Sequence, residues 1–191
     1  MGEDKAATIT EPTADLAPAA LAQEGREEYR TGNFEAARVR LYEAYEAYKA
    51  VNDLNGIAET ANDVGVLYTV QQRYTEAESW LLQAHSRFVE LQDYEGEAQT
   101  LGNLGSMCQA RGDLKQAAAY LKQAADRFHL VGDDEKRSTT LGVLSMVRLR
   151  QMRFLQALNA YEAALACHPR QNAFRRFLRR IVGLPRRLLE R

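Results

Sequence analysis

The amino-acid sequence predicts an all-α fold: four helical hairpins stacked into a solenoid, with one more helix capping the C-terminal end. Three observations carry this expectation. Small residues recur every 40 positions, at Gly25, Gly65, Gly105 and Ser145, at Ala37, Ala77, Ala117 and Ala157, and at Ala44, Ala84, Ala124 and Ala164. Large residues keep the same register at Leu41, Leu81, Leu121 and Tyr161, and at Phe34, Tyr74, Leu114 and Phe154. Thr60, Thr100 and Thr140, and Asp53, Asp93 and Asp133, repeat at the same interval without a gap. So many matching columns define a structural repeat, present four times.

Each repeat reads as two helices. Asp15 and Pro18 suit the start of the first, over about 16–31. Gly32-Asn33 marks a turn, and the second helix follows over 34–52. In repeat two, Val64, Leu67 and Tyr68 recur at helical spacing within 55–71, and Ala77, Leu81 and Ala84 do so within 74–92. Gln72-Arg73 fills the turn there without a glycine. Repeat three gives 95–111 and 114–131 around Gly112-Asp113, and repeat four gives 134–151 and 154–167 around Met152-Arg153. Gly56, Gly96 and Gly132 read as joints between units. A small residue in one helix facing an alanine in the other lets the two axes approach, and the large residue of each repeat fills the groove beside them. No single hairpin can bury both of its faces, whereas a stack shares one core.

The domain boundaries follow. Residues 1–14 are expected to be disordered. The repeats occupy about 15–54, 55–94, 95–134 and 135–169, and 170–191 form a basic amphipathic helix, its helical part near 171–182. Hydrophobic residues are 46% and charged residues 27%, which excludes wholesale disorder. The net charge of −1 conceals an asymmetry: residues 170–191 hold eight Arg and one Glu, +7, leaving −8 on residues 1–169. The start of the chain has no secretory character and no apolar run is long enough for a bilayer. Two cysteines make no disulfide framework, so a cytoplasmic location is expected.

The order of small, aromatic and turn residues resembles the tetratricopeptide repeat. Leu101, Leu104, Gly105, Gly112, Asp113, Ala117, Leu121 and Ala124 fall on that family's signature positions, as do Val64, Gly65, Tyr68, Tyr74, Ala77, Leu81 and Ala84. Pro169 stands where the family ends its last helix. The resemblance covers about 16–169, and the interval of 40 is similar to the longer variety seen in kinesin light chains, Leu-Gly-Asn-repeat adaptors and bacterial regulatory proteins. It implies a right-handed superhelical solenoid. Glu24 and Glu28 replace the family's apolar residues, so the first helix is expected to be an exposed cap.

Residues with catalytic or ligand chemistry are sparse. His85, His129 and His168 lie in different repeats without ligand spacing. Cys108 occupies the column of Tyr68 and reads as core, and Cys167 ends a helix. No glycine-rich phosphate loop is present, and carboxylate pairs such as Asp133-Asp134 suit helix N-termini. The expectation is a protein that is not an enzyme, with no catalytic residue, cofactor, metal or small-molecule substrate.

What remains is recognition. The resemblance implies that the first helix of each hairpin lines a concave groove for a peptide or protein segment. The implied lining is Arg26, Tyr29 and Arg30 from repeat one, and Glu59, Asn62, Asp63, Val66 and Thr69 from repeat two. Repeat three supplies Gln99, Gly102, Asn103, Ser106 and Gln109, and repeat four Thr139, Gly142, Val143, Met146, Leu149 and Arg150. The groove amides Asn62 and Asn103 are expected to face solvent, so that folding does not depend on them. Chaperone cofactors of the family clamp a terminal carboxylate with Lys, Asn and Arg. Here those places hold Ala22, Arg26, Asp63, Gln99 and Asn103, and Asp63 argues against such a ligand.

The C-terminal segment is amphipathic. Phe174, Phe177, Leu178, Ile181 and Val182 lie on one arc, with Arg175, Arg176, Arg179 and Arg180 opposite and Arg186 and Arg187 beyond. Capping of repeat four is the favoured expectation for this segment, ahead of an anionic membrane surface. Nucleic acid is disfavoured because the body of the chain is acidic. The chain is therefore expected to be a non-catalytic adaptor or scaffold with a protein or peptide partner. The alternatives are a self-associating, homo-oligomeric subunit or a peripheral membrane protein held by its basic tail.

Overall fold

A computed structural model describes residues 17–167. The helices are α1 (Pro18–Thr31), α2 (Phe34–Ala50), α3 (Leu54–Val70), α4 (Tyr74–Glu90), α5 (Tyr94–Arg111), α6 (Leu114–Leu130), α7 (Asp134–Arg150) and α8 (Phe154–Ala166). No strand occurs among the described residues. Consecutive helices pair as hairpins, each hairpin packs on the next, and α3 also touches both α1 and α5 directly. The odd-numbered helices thus form one layer and the even-numbered helices the other. The expected segments 1–14 and 171–182 lie outside the described residues.

The 40-residue columns are the core. Leu41, Leu81 and Leu121 are buried, and each lies across the glycine of its own hairpin. A Cβ at Gly25, Gly65 or Gly105 would stand 2.8, 2.6 or 2.7 Å from the leucine Cγ. In repeat four Ser145 replaces the glycine, and its hydroxyl donates to the Ala157 carbonyl at 2.9 Å. Ala37, Ala77, Ala117 and Ala157 are buried on the facing helix. Cys108 is part of the same core.

The Asp column has a local task. Asp53 accepts a hydrogen bond from the Gly56 amide at 3.0 Å, Asp93 from Glu95 and Gly96, and Asp133 from Lys136 at 2.9 Å. These carboxylates cap α3, α5 and α7, satisfying amides that the first helical turn leaves free. Pro18 sits in the first turn of α1, whose N-cap is Ala17. Only three residues of α1 are buried, in keeping with an exposed first helix.

The joints differ from expectation in two ways. Gly56 and Gly96 are not joints but buried residues in the first turns of α3 and α5, where the rings of Tyr48 and Phe88 occupy the space a side chain would need. Every helix but α1 and α5 also ends one or two residues early. The residue two beyond α2, α3, α4, α6 and α7 turns left-handed: Asn52 has φ 54°, Gln72 61°, Gln92 56°, Gly132 75° and Met152 61°. Of these five, only Gly132 adopts this region without cost.

Two substitutions test this account with opposite signs. Met152 is exposed, so Met152→Gly relieves the left-handed strain with little lost packing and should stabilise by about 0.5–1 kcal/mol. Gly65→Ala inserts a methyl against Leu81 and should destabilise by about 1–3 kcal/mol. Thermal unfolding followed by circular dichroism reads both; a rise for Gly65→Ala would overturn the close-approach account.

Candidate partner-binding groove

The inner faces of α1, α3, α5 and α7 enclose two neighbouring cavities. The first, about 450 Å³, is lined by Arg26, Glu59, Asn62, Asp63, Phe88, Asp93, Glu95, Gly96, Gln99 and Thr100. The second, about 640 Å³, is lined by Gln99, Gly102, Asn103, Ser106, Leu121, Phe128, Asp133, Glu135, Lys136, Thr139, Thr140 and Val143. Gln99 belongs to both. A small hollow of about 70 Å³ joins Arg26, Tyr29, Leu41, Asp63 and Val66. The expected residues Arg26, Tyr29, Glu59, Asn62, Asp63, Val66, Gln99, Gly102, Asn103, Ser106, Thr139 and Val143 therefore come together.

Arg30, Thr69, Gln109, Met146, Leu149 and Arg150 lie outside these cavities, further along the inner helices. Arg30 pairs with Glu27 at 2.8 Å, and the Thr69 hydroxyl donates to the Gly65 carbonyl at 2.9 Å. Met146 and Leu149 are 60% and 43% exposed.

Hydrogen bonds tie the inner helices together across the groove floor. The Asn103 amide donates to Asn62 Oδ1 at 2.9 Å, and the Thr100 hydroxyl donates to the same oxygen at 3.2 Å. Asn62 and Asn103 are thus half-buried structural links between α3 and α5, not solvent-facing groups as expected. The Arg26 guanidinium donates to Asp63 at 2.7 Å and to Glu59 at 3.3 Å, joining α1 to α3. Burial pushes the Asp63 carboxyl up, and Arg26 opposes that shift. Asp63 does not stand as a bare repelling charge. Arg26 is equally committed, so it is not a free cation for a terminal carboxylate.

Six carboxylates (Glu59, Asp63, Asp93, Glu95, Asp133 and Glu135) line the two cavities against two cations, Arg26 and Lys136. Lys136 bridges Glu95 at 2.6 Å and Asp133 at 3.3 Å, linking α5 to α7. The Glu95 bond raises the Lys136 pKa, and the Lys136 backbone amide holds the Asp133 carboxyl below its ordinary range. Sequence reasoning missed Glu95, Glu135 and Lys136 as lining. They sit one turn before the expected columns of 59, 99 and 139, and stepping back that turn would have found Glu95 and Glu135.

The remaining candidates have structural surroundings. Glu97 is buried between Arg127, at 2.8 Å, and His85, at 3.8 Å. Burial pushes the His85 pKa down, with Glu97 opposing. His129 Nδ1 lies 3.0 Å from Arg137. Burial pushes the Cys108 thiol up, and Cys167 caps α8. Among the described residues, no three His, Cys, Asp or Glu side chains are grouped to hold a metal, and no helix is long and apolar enough to cross a membrane. His168 and the arginines of the tail lie outside the described residues.

Residues 56–129 match the tetratricopeptide repeat family model. Solved structures agree in fold. BtubC (BKLC) from P. vanneervenii superposes with a TM-score of 0.74 at 16% identity, covering 85% of this chain and 68% of that one. A putative kinesin light chain of Podospora anserina with nearly identical repeats gives 0.69 at 13% identity, covering 82% and 78%. The Rap conjugation gene regulator of plasmid pLS20, in complex with the Phr* peptide, gives 0.64 at 16% identity, and this chain spans 85% of itself but 48% of that regulator. No curated protein matches in sequence. Residues 56–129 are thus similar to tetratricopeptide repeats, and the described residues share the all-α solenoid fold of these structures.

The Asn62 link generates a stability prediction. Asn62→Ala removes one acceptor from two donors and should cost about 1–3 kcal/mol. Gln99→Ala, whose amide bonds only to Glu95 one turn away, should stay within about 0.5 kcal/mol. Urea unfolding of both variants checks the contrast, and equal midpoints would remove the structural role assigned to Asn62.

Proposed function

We propose that the chain is a non-catalytic adaptor that holds an extended segment of a protein partner along the inner face of α1, α3, α5 and α7. The observation that carries this reading is the continuity of that face. Two adjoining cavities share Gln99, and polar side chains from two successive repeats, Gln99 and Ser106 from repeat three and Thr139 from repeat four, stand beside the apolar Val143. An extended segment could pair its backbone with those groups and place alternate side chains in the cavities. The Rap regulator, solved with a peptide, shows a similar fold in a peptide-bound protein.

Self-association is the second reading, favoured by the exposed Met152, Phe154 and Leu155 at the end of the last hairpin. Sedimentation equilibrium over a range of concentrations would give a rising mass in that case. For the adaptor reading, the measurement is quantitative crosslinking capture from native cells by the full chain and by a Gln99→Ala, Ser106→Ala, Thr139→Ala triple variant. Each substitution removes one groove hydrogen bond of about 0.5–1.5 kcal/mol, so capture should fall about tenfold or more while the melting temperature barely moves. Capture that is undiminished in the triple variant would refute groove binding.

A further inference from the structure

Two independent features of the groove have no use in the fold itself. The first is its charge. Arg26 is shared between Asp63 and Glu59, and Lys136 between Glu95 and Asp133. Asp93 and Glu135 have no cation of their own among the described residues, so the two cavities hold four carboxylates in excess. The starts of α5 and α7 favour four of the six acids. Glu59 and Asp63 stand beyond the first turn of α3, so helix ends do not account for the whole excess. The second feature is a pair of glycines inside helices. Gly25, Gly56, Gly65, Gly96 and Gly105 each have a leucine or an aromatic ring in the place of a side chain, whereas a Cβ at Gly102 or Gly142 would meet nothing within 4 Å. Glycine in a helix interior destabilises it relative to alanine, and here no packing returns that loss. Gly102 lines the second cavity, and Gly142 stands at the same place one repeat on. What the two provide is bare helix surface on the inner face.

We propose, building on the adaptor reading, that the partner of this groove is a basic extended segment: its main chain crosses directly over Gly102 and Gly142, and its Lys or Arg side chains enter the two carboxylate-lined cavities. A cleft lined by one sign of charge concentrates the opposite charge, so the segment is drawn in before close contacts form. Glu135, exposed and unpaired, and Glu59, exposed and held only at 3.3 Å by Arg26, are the carboxylates most open to an incoming cation. Without side chains at Gly102 and Gly142 the partner backbone reaches the helix surface. Its amides and carbonyls then come within reach of Gln99, Ser106 and Thr139 in the second cavity.

The test selects a random peptide display library on the full-length chain and measures the enriched peptides by fluorescence anisotropy. Lys and Arg should be enriched over the unselected library, and binding should weaken as salt is raised. Glu59→Gln together with Glu135→Gln should lower the affinity about tenfold or more at an unchanged melting temperature, since both side chains are exposed. Gly102→Leu should move the two readouts in opposite directions. Leucine is the better helix former and meets open space, so the melting temperature rises, while the affinity falls about tenfold because the side chain holds the partner backbone off. Unchanged affinity in Gly102→Leu would overturn the path across the helix. Neutral or acidic peptides that lose affinity in the Gln99, Ser106 and Thr139 triple variant would overturn the basic partner and leave the adaptor reading standing. No enrichment at all would overturn the basic segment, and peptides that bind the triple variant undiminished would overturn the adaptor reading with it.

Discussion

The structure depends on one close approach: a leucine of the second helix lying over a glycine of the first, in three of the four hairpins. With no side chain at Gly25, Gly65 or Gly105, the leucine reaches the backbone of the facing helix. The two helices settle at a separation that the alanines opposite also permit. That separation sets where the neighbouring hairpin can sit. Tyr48 and Phe88 then reach over the first turns of α3 and α5, where Gly56 and Gly96 again leave room. Small residues thus fix both the pairing within a hairpin and the step to the next, and the step decides which side chains face each other across the groove.

Polar contacts between the inner helices refine that arrangement. Arg26 with Asp63, Asn103 with Asn62, and Lys136 with Glu95 each span one step of the stack. The three pairs differ chemically, although the repeats that hold them share their core. The groove therefore varies along its length while the scaffold stays periodic. This separation lets such a fold change what it recognises without changing how it is held together.

Much of this was legible in the sequence because burial acts on whole columns. A leucine repeated at 41, 81 and 121 reports the same packing three times, and helix bounds came within one or two residues. The departures arise where a single repeat decides the matter. Gln72 and Met152 give no sign that they turn left-handed, since neither residue type favours that conformation. Gly56 looked like a joint because glycine commonly is one, and only the position of Tyr48 shows that it serves packing. Asn62 and Asn103 fell in groove columns and read as solvent-facing. Their hydrogen bond joins residues from different repeats, a relation that no local pattern expresses.

The short joints have a consequence for how the protein folds. Two or three residues connect each helix to the next, so the contacts that hold the chain together span about one repeat and never its full length. Closing such small loops costs little chain entropy, and local contacts favour rapid folding. Structure can begin in any hairpin and spread to its neighbours. The outer hairpins have a neighbour on one side only among the described residues, so fluctuations that open the stack should begin there. The Asn62–Asn103 link lies between the two middle hairpins, the part of the molecule that opens last.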